Sequence, residues 1–235
     1  ERSSMNKFAM LALIDSLESA VRRLRLKSSK TLWSDYYGSL NYSKDALDQK
    51  EEIIRSWLKE LKPNTVWDLG ANVGRFSRLA AAQEILTYAF DLDHETVERN
   101  YLECRREQNR FLLPLWMDLA NPSPALGWEH RERESFLQRG SASMVLALAL
   151  IHHLAIGNNL PFQKIAHFFS SLCPVLIIEF VPKTDSMVQG MLNKRKDIFE
   201  HYTESDFERE FGNFFKIQKR VPLQGSERVL YLMRK

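Results

Sequence analysis

Apolar side chains recur along this chain at two different spacings. In two segments before residue 62, on either side of a polar, aromatic stretch that we expect to be a loop (residues 28–42), they return every three to four positions, which is the period of an amphipathic helix. The pattern predicts helices over Met5–Leu26 and Lys44–Leu61, and Pro63 marks the end of the second. We therefore expect residues 1–62 to form a helical amino-terminal extension.

From Thr65 onward, short apolar runs alternate with segments that can each hold a helix, which predicts an α/β fold with a doubly wound, mostly parallel sheet. Strands are predicted at Thr65–Leu69, Leu86–Leu92, Phe111–Met117, Ser143–Leu150 and Pro174–Phe180. Helices are predicted at Gly74–Gln83, His94–Glu107, Pro161–Leu172 and Met187–Phe199. Asn213–Arg220 and Arg228–Leu232 are close enough in sequence to form an antiparallel pair. We expect residues 63–235 to form one domain around a seven-stranded sheet.

The composition is that of a globular protein and gives no support for a membrane-spanning or nucleic-acid-binding one. The chain has 235 residues, of which 44% are hydrophobic and 27% charged, so it can bury a core. No apolar run approaches the roughly 18 to 20 residues of a membrane-spanning helix, and a formal net charge of +3 gives no independent case for nucleic-acid binding. The two cysteines, Cys104 and Cys173, cannot form a disulfide framework, which favours a reducing compartment, and we expect the cytoplasm. They also lack the C-x-x-C spacing of a structural zinc site. Because the chain begins at Glu1 rather than Met, we expect a processed, excised or recombinant fragment.

The most informative segment is 66–77, in which a strand runs into a glycine turn and then a helix. Gly70 and Gly74 permit a tight turn and a close approach to a ligand at the carboxyl end of the strand, where open α/β sheets bind cofactors. Their G-x-x-x-G spacing is not the G-x-G-x-x-G of dinucleotide-binding turns, and the Gly-Lys-Ser/Thr of a P-loop is absent. Asp68, two residues before Gly70, is better suited to a positively charged ligand than to a pyrophosphate.

A second acid, Asp91, ends the next predicted strand about twenty residues after the glycine turn. An acid at that place can accept hydrogen bonds from both ribose hydroxyls. Asp68 and Asp91 together favour an adenosine ligand without phosphate.

These residues resemble the motifs of the class I S-adenosylmethionine-dependent methyltransferases, over roughly residues 65–180. Asp68–Gly74 looks like the family's first motif, Asp91 matches the ribose-binding acid, and Asp118 follows the third strand, where the adenine is usually held. Taken singly, Asp118 could equally be an ordinary strand-end residue. The resemblance implies a Rossmann-like fold, S-adenosylmethionine as cofactor and S-adenosylhomocysteine as product. It implies cofactor contacts from Asp68, Gly70, Ala71, Asn72, Gly74, Asp91, Leu92, Asp118, Leu119 and Ala149.

A closer resemblance rests on three longer segments. Trp67–Asn72, Ala149–Asn159 and Glu179–Lys183 look like a group of bacterial proteins assigned as methyltransferases, some of them described as nodulation-protein-like. In that group the domain commonly follows a further amino-terminal region. This resemblance sharpens the expected fold and cofactor without naming an acceptor.

Candidate catalytic residues follow from the same resemblance, which implies methyl transfer by in-line displacement at the carboxyl end of the fourth strand. His152 and His153 follow that strand, and either could act as general base or hydrogen-bond the acceptor, or could simply satisfy the local backbone. Glu179 ends the fifth strand and needs a partner if it is buried, so it belongs either to the site or to a structural ion pair. Lys183 and Asp185, on the loop beyond, are solvated charges or substrate contacts.

Absent motifs narrow the acceptor. No Asn/Asp-Pro-Pro-Tyr/Phe motif follows the fourth strand, and neither cysteine lies where cytosine-C5 methyltransferases place their nucleophile. No carboxylate cluster indicates a metal, so none is expected. We expect O- or N-methylation of an unidentified small molecule. The alternatives are a protein or RNA methyltransferase, for which the basic run 22–27 would matter, and a non-catalytic cofactor-binding module of a longer protein.

The segment before the second helix is rich in aromatic residues. Trp33, Tyr36, Tyr37 and Tyr42 could cover the cofactor pocket as a lid. Equally, they could pack helices beside the sheet.

Overall fold

The computed structural model describes residues 5–24 and 44–235. Helix α1 (Lys7–Arg23) begins after Asn6, whose side chain accepts a hydrogen bond from the Ala9 N–H (2.8 Å). All side chains of residues 5–24 are exposed. Residues 1–30 and 31–235 form two compact units, and α1 belongs to the first. The aromatic residues considered as a lid and residues 25–27 of the basic run lie outside the described residues.

Seven strands form a single sheet. They are β1 (Thr65–Leu69), β2 (Leu86–Asp91), β3 (Leu112–Trp116), β4 (Met144–Ala147), β5 (Val175–Phe180), β6 (Lys216–Pro222) and β7 (Val229–Arg234). Their order is β3-β2-β1-β4-β5-β7-β6, with β1 to β5 parallel and β7 antiparallel to both of its neighbours. The predicted mostly parallel sheet with an antiparallel carboxyl-terminal pair is confirmed. The strand order reverses between β1 and β4, which is where a crevice opens at the carboxyl ends of such a sheet.

Helices cover both faces of the sheet. They are α2 (Lys44–Leu61), α3 (Ser77–Ala81), α4 (His94–Arg106), α5 (Phe162–Leu172), α6 (Ser186–Leu192) and α7 (Glu204–Gly212). Successive residues of a strand point to opposite faces, and β5 follows this rule. Ile177 packs in one apolar cluster with Trp57 of α2, whereas Ile178 packs in another with Phe169 of α5 and Phe207 of α7. Every residue of β4 and β5 is buried, as in the centre of a parallel sheet.

Some boundaries differ from the sequence prediction. β4 ends at Ala147 rather than Leu150, because Ala149 has a left-handed backbone (φ +50°) that cannot continue a strand. A turn of π-helix, His153–Gly157, follows. Helix α6 ends at Leu192, short of the predicted Phe199, and α7 has no counterpart in the prediction. Within the described ranges, no helix is both long enough and apolar enough to cross a membrane.

Candidate functional site

A cavity of ≈ 250 Å³ lies at the carboxyl ends of the strands on both sides of the reversal point. The residues predicted to contact a cofactor line it in three groups, with a single exception. They are Asp68, Gly70, Ala71 and Asn72 at the end of β1 and in the turn after it, then Asp91, Leu92, Asp118 and Leu119 at or just after the ends of β2 and β3, and Ala149 after β4. The exception is Gly74, which does not line the cavity.

The backbone N–H groups of the glycine turn donate hydrogen bonds to acceptors within the protein. The N–H groups of Gly70 and Ala71 both donate to the Phe90 carbonyl (2.9 Å), and that of Asn72 donates to Asp91 Oδ2 (2.7 Å). The next two N–H groups, of residues 73 and 74, donate to Asn72 Oδ1 (2.8 Å) and to the Ala71 carbonyl (2.9 Å). Five consecutive N–H groups therefore have protein acceptors. A phosphate cradle needs such groups to point at the ligand, so this turn is not built to hold a pyrophosphate.

Gly74 serves the packing of this turn. Its φ of +77° lies in the left-handed region, and a Cβ at this position would lie 2.5 Å from the amide of Asn100 on α4. Asn100 is buried and accepts a hydrogen bond from Arg78 Nη1 (2.9 Å). The glycine thus allows the turn to approach α4, and its contribution to the cavity is indirect.

Asp68 is the buried acid of the cavity wall. It is 2% exposed, and its Oδ2 accepts a hydrogen bond from Ser77 Oγ at the start of α3 (2.6 Å). Burial raises the pKa of Asp68 to about 6, although the Ser77 hydrogen bond and the charge of Lys50 oppose that shift. A positively charged ligand group beside Asp68 would favour the ionised carboxylate.

Asp91 is held in place by two backbone donors. Its Oδ2 accepts from Asn72 and its Oδ1 from the N–H of Asp93 (2.9 Å). Burial raises the pKa of Asp91, and these hydrogen bonds oppose the shift. A carboxylate offers about four acceptor positions, so Asp91 can accept ligand hydroxyls in addition to its backbone donors. Asp118, by contrast, accepts a hydrogen bond at Oδ1 from the N–H of Ala120 (2.9 Å). This Asx turn shapes the chain after β3.

The two histidines after β4 differ in position. His153 lines the cavity, whereas His152 is fully buried behind it, with ring centroids 4.0 Å apart. Neither ring nitrogen of His152 has a hydrogen-bond partner in the part of the chain that the structure describes. Burial lowers the pKa of His153 to about 4, helped by the charge of Arg228, and lowers that of His152 well below its ordinary value. Both rings are therefore neutral at pH 7.

Glu179 is also buried and does not line the cavity. Its Oε2 accepts from Lys50 Nζ on α2 (2.6 Å) and from the N–H of Ala149 (2.8 Å). Its Oε1 lies 3.8 Å from Arg228 Nη1, and Arg228 in turn pairs with Asp185 (2.7 Å). Glu179 thus holds the left-handed turn that forms the cavity wall after β4. The prediction that Glu179 and the histidines are catalytic remains a prediction.

Lys50 is the site residue that sequence reasoning missed. It lines the cavity although it is only 2% exposed, and its ammonium lies 4.6 Å from the centroid of the Phe76 ring. Burial lowers the pKa of Lys50, and the charge of Glu179 opposes the shift. The signal in the sequence is that Lys50 occupies the apolar stripe of α2, between Leu47 and Ile54.

The two loop charges considered as substrate contacts have partners within the protein, and the partner of Asp185 is the buried Arg228. Lys183 pairs with Asp197 (2.9 Å), and Asp185 caps α6 by accepting from the Met187 N–H (2.9 Å). Neither lines the cavity. Across residues 5–24 and 44–235, no group of three or more His, Cys, Asp or Glu side chains is placed to hold a metal ion.

Comparison with known proteins gives one curated relative of substantial identity, and no family model matches the chain. Over 229 residues the chain is 35% identical to the nodulation protein NoeA of Rhizobium meliloti (strain 1021). The match covers 96% of this chain and 48% of NoeA, so the chain spans about half the length of that relative.

Solved structures share the fold. Magnesium protoporphyrin IX methyltransferase (ChlM) from Synechocystis PCC 6803, with bound SAH, matches with a TM-score of 0.57 at 19% identity, over 98% of this chain and 100% of ChlM. A candidate O-methyltransferase from Nostoc punctiforme PCC 73102 matches with a TM-score of 0.61 at 15% identity, over 94% of this chain and 68% of that one. The chain therefore has the Rossmann-like fold of S-adenosylmethionine-dependent methyltransferases, which confirms the fold that the motifs led us to expect.

Proposed function

We propose that this chain binds S-adenosylmethionine in the cavity and transfers its methyl group to an oxygen or nitrogen atom of a small-molecule acceptor. The observation that carries the proposal is the pairing of Asp68 and Asp91 around a glycine turn whose N–H groups are already used. Such a wall suits an adenosine ligand that carries positive charge and no phosphate. When bound, this cofactor supplies an electrophilic methyl group on a sulfonium.

The charges of the cavity fit this cofactor. Among the described residues, three carboxyl groups line the wall, those of Asp68, Asp91 and Asp118. One Lys or Arg side chain lines it, and that is Lys50. The cofactor carries an ammonium, a sulfonium and a carboxylate, so a mainly acidic wall with one cation is complementary to it. Asp91 would accept the ribose hydroxyls, and Asp68 would face the positive end of the amino acid part.

The wall beyond β4 is suited to the acceptor. Leu148, Leu150 and Leu154 line it, and Leu47 and Phe76 also contribute apolar surface to the cavity. An apolar wall excludes water and strengthens the electrostatic interactions of the groups that do face the reacting atoms. The acceptor would therefore bind beside the Ala149 turn.

His153 is the titratable side chain of this wall. Because its imidazole is neutral at pH 7, one ring nitrogen carries a lone pair that can take a proton from an acceptor hydroxyl or amine. His152 would support that ring from behind, and Glu179 would act by positioning the Ala149 turn. Replacing His153 by Asn should lower methyl transfer while leaving cofactor affinity unchanged within about twofold. A loss of affinity as large as the loss of transfer would count against this role.

The first test is calorimetric titration of the purified chain with S-adenosylhomocysteine, with NAD and ATP as control ligands. Binding of the first ligand but not of the controls is the expected result, and it would justify screening small-molecule acceptors. Binding of NAD or ATP instead would contradict the reading of the glycine turn. Cofactor binding without transfer to any small molecule, protein or RNA would favour a non-catalytic module.

A further inference from the structure

We infer that Lys50 binds the carboxylate of the cofactor's amino acid part, so that helix α2 of the amino-terminal extension completes the cofactor site. The inference rests on the proposed function and deepens it. It gives a binding role to a residue that lies upstream of all the motifs recognised in the sequence.

The first argument is position. Lys50 lies in the middle of α2 and lines the same cavity as Asp68. Its Nζ is held by Glu179 Oε2 at 2.6 Å. An ammonium has three N–H donors, so it can bond to Glu179 and to a ligand carboxylate at the same time.

The second argument is the lack of another donor at the turn. A carboxylate bound among Asp68 and Asp91 would be repelled unless a cation or several N–H groups faced it. The five N–H groups of residues 70–74 already donate to protein acceptors. Of the Lys and Arg side chains in the described ranges, Lys50 lines the cavity. It is therefore the group that can supply a positive charge to a bound carboxylate.

The third argument is the arrangement behind Lys50. Glu179 lies between Lys50 and Arg228, whose Nη1 is 3.8 Å from Glu179 Oε1. Glu179 thus faces a cation on each side, and its carboxylate holds Lys50 Nζ beside the wall of the cavity. The buried network also fixes the ammonium in advance, which reduces the entropy lost on binding.

The experiment compares two ligands that differ by one group. Dissociation constants are measured calorimetrically for S-adenosylhomocysteine and for its decarboxylated analogue, in which hydrogen replaces the carboxylate. For the unmodified chain we expect the analogue to bind roughly 10- to 100-fold more weakly, the range of a charge-assisted hydrogen bond. For Lys50→Met the two ligands should bind within about twofold of each other, since the group that distinguishes them is gone.

Two further variants make the result specific. Lys59→Met removes an exposed lysine from the same helix and should keep the full difference between the ligands. If Lys50→Met unfolds because Glu179 is left without its lysine, the double variant Lys50→Met/Glu179→Gln removes both charges and should fold and bind the two ligands equally.

The outcomes separate the inference from the proposed function. If the folded Lys50 variant still prefers S-adenosylhomocysteine as strongly as the unmodified chain, or if the unmodified chain shows no preference, the inference is wrong while the cofactor assignment stands. If the unmodified chain binds neither ligand, the proposed function itself fails.

Discussion

Replacing Asp68 by Asn tests the buried carboxyl of the cavity wall, and stability reports on it without any ligand. Asparagine has almost the same shape but cannot ionise. Asp68 is 2% exposed, and burial raises its pKa to about 6. The folded chain therefore keeps a proton on Asp68 at pH values where the unfolded chain has released it.

The sign of the effect follows from the order of the two pKa values. Because the folded value is the higher, the stability contributed by protonated Asp68 is fully present below the unfolded value and is lost as the pH rises through about 6. The two values differ by about two pKa units, which corresponds to about 3 kcal/mol of unfolding free energy. Relative to Asp68→Asn, the unmodified chain should lose about that much stability between pH 4 and pH 7.

The assay is urea unfolding followed by circular dichroism at a series of pH values, for the unmodified chain and for Asp68→Asn. Taking the difference between the two curves cancels the groups that they share. Asp197→Asn provides a control of opposite sign, because the hydrogen bond from Lys183 lowers the pKa of Asp197 and its contribution is lost as the pH falls. A flat Asp68 difference curve, or one that rises with pH, would refute the burial argument.

Four other variants give further predictions, three at or beside the site and one, Gly190→Ala, as a control. Asp91→Ala should weaken S-adenosylhomocysteine binding by about 1.5–3 kcal/mol in a calorimetric titration, and unchanged affinity would contradict the ribose assignment. Gly74→Ala should cost about 1–3 kcal/mol of stability in urea from backbone strain at φ +77°, before its clash with a buried amide on α4 is counted. Gly190→Ala, in a helix with open space around the new Cβ, should instead stabilise by about 0.5–1 kcal/mol. Ser77→Ala should destabilise by about 1.5–3 kcal/mol at pH 7 and by less at pH 4, where Asp68 is protonated.

The sheet and much of the cavity wall were predictable because their signals are local. The spacing of apolar residues predicted the alternation of strands and helices. The glycine turn and the two acids, Asp68 and Asp91, lie directly at strand ends. Carboxyl ends of neighbouring parallel strands meet at one edge of the sheet. Asp68 and Asp91, 23 residues apart, were therefore expected at one site, and both line the cavity.

The end of β4 was not predictable in this way. Residues 148–150 are apolar and continue the strand pattern, so the sequence predicted a strand up to Leu150. In the fold, the N–H of Ala149 donates to Glu179, 30 residues later, and the chain turns with φ +50°. A single long-range hydrogen bond therefore accompanies a turn at a place where the local pattern favours a strand. The turn places Ala149 and His153 in the wall of the cavity.

The buried pair of Lys50 and Glu179 shows how such a contact could be predicted. Each residue breaks its own local pattern, Lys50 as a cation in the apolar stripe of a helix and Glu179 as an acid after four apolar strand residues. Each therefore requires a partner, because an unpaired buried charge is costly. Matching these two charges, which are 129 residues apart, would have packed α2 against the end of β5. That packing brings a lysine of α2 to a cavity whose other charged side chains lie at the ends of strands, among the described residues.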